Sequence, residues 1–502
     1  VRARAIVGVV VTLAACSSGS STSAPSTTTT TTPQYAAVYA KGPCSDEVPT
    51  DPRVECGTLT VPEDRSKPSG RKVVMPVAIV HTADPNPAPD PVLYLSGGPG
   101  EAALPQAERF LTKGQTGNRD IILLEQRGTG RSEPHLDCPE VTEAFTAILG
   151  AAASFDEEAT IGNRALATCR DRLRATGVDL NQYNTATVAD DVADLRVAMG
   201  IKEWNLFGVS YGTMDALVTM RAHPEGIRSV VLDSVIPPDI GSGAPEVVAT
   251  FERVEKVLFD GCAQDARCAA KYPNLEADVR ALVQKLDATP YRGTIDNPEL
   301  HRKSPITITG ADAAAGLFLA LYDTDLIPQL PNIIQILKGD AAGVVIDQLA
   351  AQGISFAAGI AAVQAAAVNC FDRATFLHEG DDRRIVAEKP DASTLLLYAT
   401  VSCKDFGVAP APAGFNDAVR SDIPTLVLAG QYDPVTSPED SKHASETLSH
   451  STFVLFPGMG HGTVFASPEC PEIIFRAFLA APTSTVDTSC VAAMGPPNWA
   501  VG

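Results

Sequence analysis

Positive charge is what this chain has least of. Its 39 lysines and arginines face 60 aspartates and glutamates, giving a formal charge of −21 over 502 residues. Binding a phosphate backbone needs a basic footprint, so nucleic acid is excluded as a partner. The chain also lacks any C-x-x-C pair with matching histidine spacing, which leaves no metal site to expect. It has no internal repeat, and beyond the first fifteen residues no apolar stretch is long enough to span a bilayer. What remains, 45% hydrophobic and 20% charged residues, is the composition of a soluble globular protein. The length exceeds one average domain and calls for a large core with an insertion or a second domain.

The N-terminal stretch has a different character. Arg2 and Arg4 precede the apolar run AIVGVVVTLAA at 5–15, short enough for a signal-peptide segment and too short for a permanent membrane helix. It ends in LAAC at 13–16, which resembles a bacterial lipobox, so residues 1–16 are expected to be a signal peptide with Cys16 as the lipidated residue. Residues 17–35, rich in serine and threonine, have little to bury and are expected to form a disordered tether. The expected localisation is therefore the outside of the cell, with a membrane reached through a lipid anchor on Cys16. Setting Cys16 aside leaves an even ten of the eleven cysteines, and in an exported protein disulfides are the default. Their clustering suggests the pairs Cys44–Cys56, Cys138–Cys169, Cys262–Cys268, Cys370–Cys403 and Cys470–Cys490.

From residue 58 to 237 strand-like and helix-like segments alternate. Strands are expected at 73–81, 92–95, 121–124, 204–207 and 229–232. The short, wholly apolar ones are what strands buried on both faces of a parallel sheet look like. TVADDVADLRVAMG at 187–200 predicts a helix capped by Thr187, with Asp190 and Asp191 in its first turn and Gly200 at its end. After Pro237 and Pro238 the alternation stops, and alanine-rich helical stretches such as 312–322 and 353–370 take over. Alternation resumes with TLVLAG at 425–430, a helix at 438–448, TFVLF at 452–456 and a helix at 472–480. One parallel sheet interrupted by a mainly helical block is the economical reading. It gives a first core part at 36–238, a helical lid at 239–414 and a second core part at 415–502.

Chemistry enters with GVSYG at 208–212. The motif follows a strand and opens a helix, the setting of a nucleophile elbow that exposes a serine hydroxyl, so Ser210 is the expected nucleophile. Serine attacks only when a base removes its proton. In this fold the order along the chain is serine, acid, histidine. His461 lies in the glycine-rich PGMGHG, directly after a strand, where an imidazole can reach Ser210. Asp433 in GQYDPVT also follows a strand and is the favoured acid, with Asp233, one strand earlier, as its rival. An oxyanion hole needs backbone N–H groups, and Tyr211, next to the nucleophile, supplies one. SGGPG at 96–100 supplies the other, through Gly98 with Gly97 in reserve, since Pro99 has no N–H to give.

Together GGPG at 97–100, EQRGTGRSEP at 125–134, GVSYGT at 208–213, SDIPTLVLAGQYDPVT at 421–436 and PGMGHG at 457–462 resemble the prolyl iminopeptidase-related hydrolases. The resemblance is closer to their tripeptidyl-aminopeptidase-like, actinobacterial branch of exported proteases and carboxylesterases. It implies an α/β-hydrolase fold, a mostly parallel central sheet flanked by helices, with an inserted, mainly helical lid. It also implies a Ser210–His461–Asp433 triad and a lid carboxylate that holds a substrate's free amine. Asp372, which matches a C-x-D pattern of the branch, is the first candidate, followed by Glu101 and Asp405. The sequence departs from the branch at Ser96, where a histidine is common, at Glu101, where a small residue is usual, and at Glu125, where an aspartate is usual.

The expected activity is hydrolysis of a peptide substrate by a serine exopeptidase of the tripeptidyl or prolyl aminopeptidase type. A carboxylesterase or lipase acting on an ester substrate through the same triad is the alternative. A non-catalytic binding lipoprotein is the third reading, opposed by the complete triad and both oxyanion loops. No cofactor is implied, because covalent catalysis supplies its own activation.

Overall fold

The structure, a computed structural model, describes residues 35–241, 243–339, 342–397, 401–467 and 469–501. The expected signal segment, Cys16 and the tether up to residue 34 lie outside the described residues. Tyr35, counted in the tether above, is docked on the core, its hydroxyl donating to Asp194 at 2.6 Å.

Nine strands form one sheet. In chain order they are β1 Val38–Gly42, β2 Val54–Pro62, β3 Lys72–Val80, β4 Val92–Leu95, β5 Ile121–Leu124, β6 Trp204–Val209, β7 Ile227–Asp233, then β10 Thr425–Gly430 and β11 Ser451–Phe456, with β8 Tyr291–Asn297 and β9 Arg302–Ile308 outside it. Across the sheet the order is β1-β2-β3-β5-β4-β6-β7-β10-β11. The pairings from β1 through to β5 are antiparallel, and all those from β5 to β11 are parallel. VLYL and IILL are buried throughout because helices cover both faces. Neighbours along a strand face opposite ways. Leu93 and Leu206 join one core layer with Leu217 and Leu232, while Tyr94 and Phe207 join the other with Phe456 and Phe475.

The helix expected at 187–200 runs Thr185–Ala198. Asn184, not Thr187, caps it by accepting the Thr187 N–H at 3.0 Å, while Thr187 returns a side-chain bond to the Asn184 N–H. Asp191 therefore lies in the second turn, fully buried. It receives the equally buried Arg127 through two bonds, Nε–Oδ2 at 2.6 Å and Nη2–Oδ1 at 2.7 Å, and also Arg65 at 2.6 Å. Arg127 further donates to the carbonyls of Glu63 and Gln182, which ties the QRGTG loop to this helix. Removing one partner of such a pair strands a buried charge. Asp191→Asn is accordingly expected to cost about 3–5 kcal/mol in guanidinium unfolding. A loss below 1 kcal/mol would show that the ion pair is incidental.

Between β7 and β10 lies the inserted block. It is mainly helical, from Ala244–Gln264 to Cys403–Phe406, but it also holds an antiparallel hairpin, β8 Tyr291–Asn297 with β9 Arg302–Ile308. The apolar stretch 353–370 is two helices, Ala342–Ala358 and Ala362–Asp372, broken at Gly359–Ala361. That break docks on the SGGPG loop, where Ala361 N–H donates to Gly100 O at 3.0 Å and Ile360 bridges Glu101. Disulfides join Cys44–Cys56, Cys138–Cys169, Cys262–Cys268, Cys370–Cys403 and Cys470–Cys490. The final segment does not stay with the core. Trp499 is buried in the apolar cluster of the insertion, and Ala500 bonds Pro328 and Tyr272. Among the described residues no helix is long and apolar enough to cross a membrane, and no group of three or more acidic, histidine or cysteine side chains is arranged to hold a metal.

Candidate active site

Ser210 is the single residue between β6 and the helix Tyr211–Ala222, at φ 57° and ψ −126°. Such a backbone costs a non-glycine residue about 1–3 kcal/mol and persists only where its surroundings over-determine it. Two glycines do that here. A Cβ on Gly208 would lie 2.3 Å from Gly212 O, and one on Gly212 would lie 2.1 Å from Leu95 O. Only bare backbone lets β6, the helix start and the end of β4 approach this closely. The turn is then held by Ser210 N–H on Asp233 O at 3.0 Å and Thr213 N–H on Ser210 O at 2.9 Å.

His461 follows β11, and its Nδ1 lies 2.8 Å from Asp433 Oδ2, beyond the end of β10. Asp433 is wholly buried, and its carboxylate also accepts the Val435 and Thr436 N–H groups at 2.9 Å and the Thr436 hydroxyl at 2.7 Å. Burial alone would raise its pKa, but the charge of His461 and these hydrogen bonds hold it below the usual carboxylate range. For His461 burial works downward, yet the Asp433 charge and hydrogen bond prevail and carry it above the ordinary histidine value. With its Nδ1–H directed to Asp433, the imidazole keeps Nε2 for a proton acceptor's task.

Asp233, the rival acid, has other partners. Its carboxylate accepts the Thr463 hydroxyl at 3.0 Å and the Val464 N–H at 2.8 Å, pinning the chain just after His461. Desolvation pushes it up to about 6 despite those bonds. Ser234 adds a second tie by accepting the Gly462 N–H at 2.9 Å. The end of β7 thus grips both the Ser210 turn and the His461 loop.

Tyr211 opens its helix, so its N–H has no carbonyl one turn back and adds to the positive end of the helix dipole. Gly98 is exposed at φ 103°, and a Cβ there would collide with Gly100 N at 2.5 Å. Gly97, the reserve donor, packs against the nucleophile, since a Cβ there would lie 3.2 Å from Ser210 Cβ. Glu125 accepts the Ala103 and Leu104 N–H groups at 3.2 and 3.1 Å, so it braces the segment that carries this loop.

The carboxylates expected to meet a substrate amine differ in their surroundings. Asp372 is 1% exposed and accepts from Thr185, whose hydroxyl also meets the Tyr211 hydroxyl at 2.6 Å. Burial raises it to about 7, and its Oδ1 is buried without a hydrogen-bond partner. Asp405 is exposed on the surface of the insertion. Glu101, by contrast, sits with the reactive groups, as Gly97 shows: a Cβ built there would meet both Glu101 Oε2 and Ser210 Cβ. Two insertion residues that carry no sequence signal also reach the site. Tyr322 accepts the His461 N–H through its carbonyl at 3.1 Å, with ring centroids 5.0 Å apart. Arg253 donates to the carbonyls of Gln431 and Asp433.

The chain is similar to several known proteins. The family described as alpha/beta hydrolase fold matches residues 90–290, and that of TAP-like proteins matches residues 389–490. Serine protease Hip1 of Mycobacterium tuberculosis is 22% identical over 457 residues, 84% of each chain. The tripeptidyl aminopeptidase of Streptomyces coelicolor is 29% identical over 196 residues, 37% of this chain and 36% of that one. Among solved structures, the proline iminopeptidase of Mycobacterium smegmatis aligns at a TM-score of 0.40 and 15% identity, covering 85% of this chain and 98% of its own.

Proposed function

We propose that this chain, a serine hydrolase of the α/β-hydrolase branch that holds the tripeptidyl aminopeptidases and proline iminopeptidases, is an exported exopeptidase working through an acyl-enzyme. The observation that carries the reading is the convergence of four strand ends, those of β4, β6, β10 and β11, which brings the strained Ser210 turn, the His461–Asp433 pair and the SGGPG loop to one end of the sheet. The peptidase names of the relatives favour a peptide over an ester, and five disulfides suit a protein working outside the cytoplasm.

In this reading Ser210 Oγ attacks the scissile carbonyl while His461 Nε2 takes its proton. Asp433 holds the imidazole in its tautomer and stabilises its charged form. The Gly98 and Tyr211 N–H groups receive the oxyanion. His461 then protonates the leaving amine, and water repeats the sequence to free the acyl group.

His461 must be neutral to act as base, so activity is lost as pH falls through its pKa. Asp433, Asp233 and Glu101 all face the imidazole and raise that value, so kcat/KM should rise to a plateau with a midpoint above the ordinary histidine value. Protonation of Asp233, near 6, would further loosen the His461 loop on the acid side. A profile of kcat/KM against pH on a peptide anilide checks this; a midpoint well below 6 would contradict it. Cleavage of free-amine peptide anilides, abolished by N-terminal acetylation, separates the exopeptidase reading from an esterase that prefers nitrophenyl esters.

A further inference from the structure

We infer that Asp372 is a positioning residue for the oxyanion hole, acting through Thr185 on Tyr211, and that the helix ending in Asp372 braces both oxyanion donors. The inference rests on the Gly98 and Tyr211 donors of the reading above and adds what holds them in place.

A chain of hydrogen bonds carries the argument. The Thr185 hydroxyl donates to Asp372 Oδ2, so it has no proton left for its other neighbour. The Tyr211 hydroxyl, 2.6 Å away, is therefore the donor to Thr185. All three side chains are buried. The ring of Tyr211 is thus fixed at its far end as well as at the backbone, whose N–H is the proposed donor. Val368, one turn before Asp372, lies in the same apolar cluster as Tyr211 and Met214. The Asp372 end is itself pinned. Asn416 donates to the Asp372 carbonyl at 2.7 Å, and Arg373 donates to the carbonyls of Pro237, Pro238 and Ile240, where the insertion leaves the core.

The other end of the same helix meets the other donor's loop. Ala361 N–H bonds Gly100 O at 3.0 Å, and a Cβ on Gly100 would lie 3.0 Å from Ala361 N, so only bare backbone allows this approach. The 11 residues Ala362–Asp372 make a rod about 16 Å long. One rod of the insertion therefore touches the SGGPG loop at its start and reaches the Ser210 elbow at its end. Within the core Gln126 makes a second tie between the same two parts. It donates to Ser96 O at 3.4 Å and to Asp215 Oδ2 at 2.9 Å, and Asp215 lies one turn after Tyr211. Charge is not what Asp372 supplies. Burial lifts it to about 7, and it lifts Asp215 too, where the charge of Asp372 adds to the rise. A carboxyl can accept from Thr185 whether or not it carries a proton. Asparagine offers the same acceptor and alanine offers none.

The test is a double-mutant cycle in the full chain: Tyr211→Phe, Asp372→Ala and both together, with Asp372→Asn beside them. The first readout is the second-order rate of fluorophosphonate labelling at Ser210, which uses the oxyanion donors and requires no particular substrate. The second is kcat and KM on alanine p-nitroanilide. Circular dichroism and the thermal midpoint confirm that each variant is folded, and Thr185→Val replaces Asp372→Ala in the cycle if that variant is not. Tyr211→Phe and Asp372→Ala should each slow labelling and kcat by about tenfold or more, a fraction of what loss of a whole oxyanion donor costs, with KM moved by less than about twofold. The double variant should lose no more than the worse single one, because both break the same chain. Asp372→Asn should keep at least about half of the labelling rate, since it keeps the acceptor. Losses that multiply in the double variant would overturn the inference. So would an effect confined to KM, or Asp372→Asn as slow as Asp372→Ala, which would make Asp372 a charge rather than an acceptor. The labelling rates decide the inference even where no anilide is cleaved, a result that would count against the exopeptidase reading alone. No adduct on the folded, unaltered protein would remove the triad and this inference together.

Discussion

Ser210→Ala should lower kcat by about 10⁶-fold while leaving the protein folded, since the residues of a triad act as a unit and removal of the nucleophile costs as much as removal of all three. Folding should survive for a local reason. The turn at φ 57° is imposed by Gly208 and Gly212 and by the Ser210 N–H bond to Asp233, none of which involves the hydroxyl. Alanine at that backbone pays the same strain. Residual hydrolysis should come from the Gly98 and Tyr211 N–H groups and from binding, in the range of about 10³–10⁴ over water. A variant that retains more than a few per cent of its activity would mean that another group attacks the carbonyl.

The second large effect is expected at Asp433. Asp433→Asn keeps the shape but turns an acceptor toward a donor at a site where the carboxylate now receives four hydrogen bonds, one of them from His461. The asparagine amide can face His461 only by offering an N–H, which forces the imidazole into the tautomer that has no acceptor at Nε2. A loss of about 10⁴-fold in kcat is expected, read on the same anilide. Asp233→Asn makes the internal comparison. It loosens the Thr463 and Val464 ties without touching the tautomer, so its loss should be smaller by at least tenfold. The opposite ranking would make Asp233 the acid and Asp433 the brace.

Much of the core was legible because its strands are short, wholly apolar and bounded by turn residues. VLYL, IILL and TLVLAG fall where the residue pattern puts them, since strands covered on both faces have no polar positions to blur them. The edge was harder to read. β1, with four of its five residues exposed and the fifth half-buried, has no such run, and neither does the hairpin β8–β9, where charged residues interrupt YRGTIDN and RKSPITI. The continuous alanine-rich stretch at 353–370 hid a break at Gly359–Ala361, because what ends the helix is docking on Gly100 and Glu101, a tertiary contact. Asn184 and Thr187 both suit the cap position by residue type, and only the burial of Asp191 against Arg127 decides between them.

The reactive groups were legible for a related reason. Ser210, Asp433 and His461 each follow a strand that reads clearly, and the carboxyl ends of neighbouring parallel strands lie side by side. The surroundings of the insertion's carboxylates were not. A C-x-D pattern singles out Asp372, but its burial against Thr185 depends on how an insertion packs, which no local pattern carries. Glu101 stood in plain sight after GGPG, and the fold of that loop brings it back to Gly97 and Ser210. Tyr322 and Arg253 come from helical segments with no motif at all, so nothing local could have nominated them.

The most direct measurement is the mass and position of a fluorophosphonate adduct on the folded protein, mapped by peptide fragmentation. The account predicts a single adduct on Ser210, formed faster as pH rises through the His461 titration and absent from Ser210→Ala. An adduct on another residue, or none on a folded protein at neutral pH, would contradict it.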